Sequence, residues 1–453
     1  MIPITPALAT DLYELTMAAG YWAEGRQEEA AFELFVRHLP RDRNYLLAAG
    51  LEDVVAYLEN FHFTAEEIAY LRGLPVFASI PSGFFDFLAA LRFTGDLWAI
   101  PEGTPVFAEE PLLTVVAPIL QAQIVETALL MLINYPTSVA SKAARVVTAA
   151  QGRSVVEFGA RRAPGPEAAL RAARAACLGG CVGTSYMEAG LRYGLSVYGT
   201  IAHSWVMSFA QEGDAFRAYQ RLFPHNAILL IDTYDTLRAA RDITRLFQPG
   251  EIRGVRLDSG DLAALSRDVR RILDEAGFTS AQIFASGDLN ERLIADLAAQ
   301  NAPIDSFGVG TDVTTVRDAP ALGGVYKLAE LRHDGQREFK IKTSQAKQTY
   351  PGQKQVWRRT GQDGVAAGDI ITLYDEPSPA PDAAPLLVPI LQGGRRVGSL
   401  PDLRDIQRHA REAIAQLPEP IRGLETPPAP YPVRFSERIL QLQAQLQQRM
   451  RSA

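Results

Sequence analysis

The sequence predicts an α/β protein built on a barrel of about seven parallel strands, with an outer α/β domain formed by the head and tail of the chain. Three observations carry this. From Val155 onward, short apolar runs alternate with segments of helical period. The runs end in corners of Gly, Ser, Thr and Asp, the composition of a strand-to-helix turn. The tetrapeptide Ser-Gly-Asp-Leu stands at 259–262 and again at 286–289, so two successive units use one corner chemistry.

In order, residues 7–22 show helical periodicity, with Leu12, Leu15 and Ala19 on one stripe and Thr10 as the N-cap. Ala31 to Arg37 is a strand, helices follow to about Phe93, and 96–118 has a small-sheet pattern. Helices are expected at 122–134 and 137–150. The barrel strands begin at Val155, at the Gly183 corner, and at 196, 228, 254, 282 and 306, with helices between them. Right-handed βα units of this size close most easily into a barrel. Beyond Gly323, 325–328, 339–342, 370–374 and 386–391 look like antiparallel strands, and the Pro-rich 376–385 is an exposed loop. Helices at 401–417 and 436–450 end the chain. The expected division is an N-terminal α/β domain at 1–135, a barrel at 136–322 and a C-terminal segment at 323–453 completing the outer domain.

Composition narrows the function. A chain of 453 residues exceeds one simple core. Apolar content of 47% and charged content of 21% describe an ordinary globular protein. With net charge −7 and scattered Lys and Arg, nothing predicts nucleic-acid or anionic-membrane binding. Cys177 and Cys181, four apart in a helical pattern, form neither a CxxC pair nor half of a zinc site and read as small apolar helix residues. No basic-plus-apolar leader and no apolar run near about 18 residues is present, so a reduced, cytoplasmic setting is expected.

The chemistry gathers at the strand ends. Small residues there let backbone N–H groups approach an anion, and the following helix N-terminus adds partial positive charge. Arg161 and Arg162 follow a Gly corner, and on an extended strand only one of them can face a central site. Arg256, between apolar residues, suits a carboxylate or phosphate through its bidentate fork. Asp258, Asp261 and Asp288 can hold a ribose diol or Mg²⁺, or cap helices, and the two roles are compatible. His203, beside Ser204, stands just past a strand end, as either a structural or a functional group. Gly-x-Ser-x-Gly, Walker A, HExxH and paired CxxC patterns do not occur.

These residues fall in stretches that resemble the motif series of the nicotinate phosphoribosyltransferase family, in the family's order. They are Thr10-Asp-Leu-Tyr13-Glu-Leu-Thr-Met17, Glu157-Phe-Gly-Ala-Arg-Arg-Ala163, Gly199-Thr-Ile-Ala-His-Ser204, Arg256-Leu-Asp-Ser-Gly-Asp261 and Gly308-Val-Gly-Thr311. Asp232-Thr-Tyr-Asp235, Leu322-Gly-Gly-Val-Tyr-Lys327 and Pro351-Gly-Gln-Lys-Gln355 extend the match over most of the chain. The resemblance implies an irregular α/β barrel of the type II phosphoribosyltransferases, working as a homodimer. It implies joining of nicotinate to 5-phosphoribosyl-1-diphosphate, with ATP hydrolysis and Mg²⁺. Tyr13 would stack on the pyridine ring, reaching into the partner's site; Phe158, Arg161, Thr200, Ser204 and Arg256 would surround nicotinate. His203 would be transiently phosphorylated by ATP and act with Arg256 and Asp258 in catalysis. Gly260, Gly287, Asp288, Gly308, Gly310 and Thr311 would hold the phosphoribosyl diphosphate, and Arg37 or Arg43 would approach phosphates across the dimer. One departure is Tyr186, where the family usually has Asn.

Alternatives remain within and beyond this family. The Arg161-Arg162-Ala163 doublet and Ser185, rather than Asp, favour nicotinate over nicotinamide, and quinolinate would want further cations. A sugar-phosphate aldolase needs a barrel-strand Lys or paired carboxylates, and the 155–311 strands lack a suitable Lys. A non-enzymatic phosphoribosyl-ligand sensor is the third reading.

Overall fold

The computed structural model describes residues 6–344 and 347–452. It contains two compact units, one made of Met1–Ser138 and Ala321–Ala453, the other of Val139–Pro320.

The second unit carries a parallel sheet in the order Gly183–Thr184, Ser154–Glu157, Ser306–Val309, Gln282–Ala285, Gly254–Leu257, Ile228–Leu230. Every adjacent pair runs in the same direction. The segment expected at 196–198 is reduced to a single parallel bridge between Val197 and Thr184. Ser196, Val197 and Tyr198 are all exposed, so little burial holds them as a strand. Seven segments therefore lie side by side, as the βα rhythm requires. Among the described residues no ladder joins the Val197 edge to Ile228–Leu230; Asn226 Nδ2 instead donates to Gly199 O at 3.3 Å. Among the described residues the parallel sheet is therefore barrel-like, and no backbone ladder closes it at this seam.

Helices cover the sheet for a sequence-readable reason. In Leu262–Glu275 the buried residues are Ala263, Ser266, Val269, Ile272 and Leu273, one stripe at helical spacing. Asp261 caps that helix through Ala264 N at 3.0 Å. The parallel expectation for Asp288 fails. Asn290 caps Glu291–Ala299, accepting from the Arg292 and Leu293 amides at 3.0 Å, while Asp288 sits earlier in the corner at φ +47°.

The first unit joins head to tail. Glu29–Val36 pairs antiparallel with Gly324–His333 on one side and Pro111–Pro118 on the other, within a seven-stranded sheet. Lys354, of the Pro351–Gln355 motif, is buried and donates to Glu33 Oε2 at 2.6 Å and to the carbonyls of Tyr350 and Gly352. That lysine is a structural staple. Thr10 is not the first helix's N-cap: Asp11 holds that position, and the Thr10 hydroxyl turns to Glu14 and Ile124 O. Lys354–Thr360, unforeseen as a strand, is central to a four-stranded sheet, and the strand expected at 339–342 lies earlier, at Gln336–Phe339. Ala383–Pro385 of the Pro-rich loop forms that sheet's edge.

One helix, Glu126–Ala149, replaces the two expected, with Pro136 inside it. Proline cannot donate to the carbonyl four residues earlier, that of Leu132. Gly50 lies against that oxygen; a Cβ there would come within 2.0 Å of it. Among the described residues no helix is long and apolar enough to cross a membrane.

Candidate active site

The site is built at the C-terminal ends of the parallel strands. Arg256, third residue of Gly254–Leu257, has a side chain 12% exposed. Its Nε donates to Ser286 Oγ at 2.8 Å, Nη1 to Thr200 Oγ1 at 2.9 Å and Nη2 to Asp258 Oδ1 at 2.7 Å. Its guanidinium carbon stands 5.7 Å from the centroid of Phe158, which in turn tilts against Phe284. Ser286 Oγ donates onward to Asp258 Oδ1. Burial pushes the Asp258 carboxyl up, but the Ser286 hydrogen bond and the Arg256 charge outweigh it and hold the group below the usual carboxylate value.

His203 opens the short His203–Met207 helix. Its Nδ1 lies 3.1 Å from Thr233 Oγ1, and its Nε2 is 3.9 Å from Asp258 Oδ2. Asp232 supports the same corner, its Oδ2 accepting from the Asp258 amide at 3.0 Å and Ser259 Oγ at 2.6 Å. The other oxygen, Oδ1, is buried without a hydrogen-bond partner.

The glycine corners abut this group. Gly287 adopts φ +96°, and a Cβ there would fall 1.9 Å from Asp258 O. Thr311 Oγ1 lies 3.4 Å from Asp288 Oδ1, bringing the last two corners together. A Cβ on Gly308 would meet Phe158 at 2.7 Å and Phe284 at 2.8 Å, and one on Gly310 would meet Phe158 O at 2.9 Å. Gly260, at φ +83°, turns the chain between Ser259 and Asp261. Arg256, His203, Asp258, Asp288 and Thr311 thus share one rim, and glycines are required where backbone meets backbone.

Other expected residues stand differently. Arg161 and Arg162 lie in a 3₁₀ turn, Ala160–Arg162, not on an extended strand. Alternation therefore does not apply: both are exposed. Glu157 and Glu188 do not pair with them. Glu157 accepts from the Gly159 amide, Thr184 Oγ1 and Thr314 Oγ1, and Glu188 binds Arg192 and Tyr186. Ser204 is exposed and takes no part in the Arg256 and His203 contacts. Tyr13 belongs to the other unit, on Leu12–Ala23, 47% exposed.

Ser286, Thr233 and Asp232 were not singled out by sequence. The signal existed, in the repeated Ser-Gly-Asp-Leu and the Asp232–Asp235 motif, but nothing in a linear pattern says which hydroxyl meets which carboxylate.

Family descriptions match along the chain: the nicotinate phosphoribosyltransferase (NAPRTase) N-terminal domain at residues 8–134, the NAPRTase family at 153–357 and the C-terminal domain at 380–443. The nicotinate phosphoribosyltransferase pncB2 of Mycobacterium tuberculosis is 48% identical over 439 residues, covering 96% of this chain and 92% of that protein. The chain belongs to the nicotinate phosphoribosyltransferase family. The Bacillus subtilis nicotinate phosphoribosyltransferase is 38% identical, covering 95% of this chain and 93% of its own length. The crystal structure of human nicotinic acid phosphoribosyltransferase superposes with a TM-score of 0.84 at 31% identity, covering 96% of this chain and 99% of that one.

Tyr186, where the motif resemblance implies Asn, takes no part in the Arg256 and His203 contacts. Its ring packs with Tyr193 and Leu195 on Leu170, Ala173 and Ala189, and its hydroxyl donates to Glu188 Oε2 at 2.9 Å. The aromatic side chain serves a small local core. For Mg²⁺, the described residues hold no cluster of three or more His, Cys, Asp or Glu placed to bind a metal ion. The site nevertheless fits one held largely by substrate. Magnesium commonly takes one or two carboxylates plus phosphate oxygens, and the orphaned Asp232 Oδ1 beside Asp258 offers such a contact.

Proposed function

We propose that this protein joins nicotinate to 5-phosphoribosyl-1-diphosphate, giving nicotinate mononucleotide and diphosphate in NAD salvage, assisted by ATP hydrolysis and Mg²⁺, as a cytoplasmic homodimer. The observation that carries this is the fork of Arg256. Of five guanidinium N–H groups, three are engaged by Ser286, Thr200 and Asp258, leaving one on each terminal nitrogen. That pair matches the two oxygens of a carboxylate. Phe158, under the guanidinium, offers an apolar face to a pyridine ring.

The pyridine nitrogen has no proton to lose, so the reaction needs no general base. It needs stabilisation of positive charge on the ribosyl carbon and of the departing diphosphate. Asp258, held ionised, supplies the first. Backbone amides at the Gly287 and Gly310 corners, with the Thr311 hydroxyl, are suited to the 5-phosphate. Magnesium, held by Asp232 and Asp258 with the donor's phosphates, would screen the leaving group's charge.

His203 is the proposed acceptor of the ATP γ-phosphoryl group. In the tautomer that donates from Nδ1 to Thr233 Oγ1, Nε2 carries the lone pair and would bond phosphorus as the bond to ADP breaks. A phosphoryl group there would meet Asp258, 3.9 Å away, so its charge reaches the reaction centre. A dimer is supported by apolar side chains in the open: Leu191 at 87% and Met187 at 71% exposure, with Val182, Val197 and Tyr198 also exposed. Tyr13, half exposed on the outer unit, is proposed to meet the partner's pyridine site.

Diphosphate release with nicotinate, nicotinamide and quinolinate as acceptors tests the reading. Nicotinate should react fastest; faster turnover of either alternative would refute it.

A further inference from the structure

A buried charge cluster in the barrel unit has no part in the chemistry above. Lys142, on Glu126–Ala149, has a side chain 2% exposed. Its Nζ lies 2.6 Å from Glu291 Oε2, 3.2 Å from Asp318 Oδ1 and 3.4 Å from Asp312 Oδ2. The first contact is an ion pair by distance, not aligned as a hydrogen bond. Arg145, nearly one turn on, places Nε 3.2 Å from Glu291 Oε1.

The three carboxylates come from different stretches, and two of them border the glycine corners. Glu291 opens the Glu291–Ala299 helix, directly after the corner of Gly287 and Asp288. Asp312 is the second residue of Thr311–Thr315, directly after Gly308 and Gly310. One ammonium therefore ties the helices behind both corners. Two cations face three carboxylates, so Lys142 has no charge left over for an anion and can act only through its partners. Burial raises the Glu291 carboxyl, but the Lys142 and Arg145 charges bring it below its ordinary value, so the carboxylate is ionised at neutral pH. A buried ion pair is weak evidence for stability in itself, which leaves geometry as its use.

We infer that Lys142 is a positioning residue that sets the separation of the two corners holding the donor's 5-phosphate. This rests on the functional reading above. Small displacements of positioning groups are costly because binding and orientation depend on sub-ångström placement.

The test is steady-state kinetics and thermal melting of the full-length Lys142→Met and Asp312→Asn variants. The KM for 5-phosphoribosyl-1-diphosphate should rise about tenfold while that for nicotinate stays within about twofold, and Lys142→Arg, keeping the cation, should recover most of the loss. Should Lys142→Met fail to fold, Asp312→Asn, which cuts one tie alone, carries the measurement. Parallel rises in both KM values, or an unchanged donor KM in a variant melting like the wild type, would overturn the inference. A wild-type protein releasing no diphosphate from that donor with nicotinate would instead overturn the functional reading, and this inference with it.

Discussion

Arg256 and Asp258 stand two residues apart on one strand end and meet through Nη2 and Oδ1 at 2.7 Å. Side chains two apart on an extended strand share a face, so a guanidinium and a carboxylate are set toward one rim. Their pairing orients the guanidinium and keeps the carboxyl ionised.

Arg256→Lys should retain the fold and lose the fork. A single ammonium cannot bond Ser286, Thr200 and Asp258 while presenting two donors to a carboxylate. The value of kcat/KM for nicotinate should fall about 100-fold, roughly 2.7 kcal/mol, measured against an unchanged melting temperature.

Ser286→Ala removes the strongest influence that lowers the Asp258 pKa. That pKa then rises, and the acid limb of the kcat/KM profile should move to higher pH. The sign for stability follows. A carboxyl held below its unfolded value contributes stability that is complete above that value and lost as pH falls through the folded pKa. In the variant the folded pKa moves toward the unfolded one, so the contribution is smaller and is exhausted at a higher pH, which acid titration of the melting temperature would detect.

Gly287→Ala forces a side chain into φ +96° with its Cβ 1.9 Å from Asp258 O. The strain is roughly 1–3 kcal/mol and the corner must move. Donor KM should rise along with a lowered melting temperature; a variant with wild-type donor KM would show that the corner does not hold phosphate.

His203→Ala should abolish ATP-stimulated turnover and leave a slow ATP-independent reaction. The imidazole is 42% exposed, so its loss should not unfold the protein. Retained ATP stimulation would refute the phosphorylation role.

Much of the barrel was readable because parallel strands buried on both faces are near-continuous apolar runs, and their corners need Gly, Ser and Asp. Asp261 capped its helix as its place before an apolar-periodic stretch requires. Asp288 did not, because Asn290 lies closer to the helix start and tertiary contact with Thr311 fixes the corner differently. Separate helices were expected on either side of Pro136; one helix runs through it, and Gly50, far away in sequence, packs against the Leu132 carbonyl that proline leaves without its helical donor. Arg161 and Arg162 were read by strand alternation, which lapses once the chain enters a 3₁₀ turn.

Local patterning by itself determined the α/β class, the run of seven strand segments, the glycine corners and the family motifs, because each depends on residues within a turn or two of one another. The tertiary structure decided the rest. It showed that Ser286 and Thr200 complete the Arg256 fork, that Thr233 meets the His203 ring, and that Lys142 lies between carboxylates of two helices. Those contacts join stretches dozens of residues or more apart, and a hydrogen bond a few ångströms long depends on how strands curve and close, which periodicity does not encode.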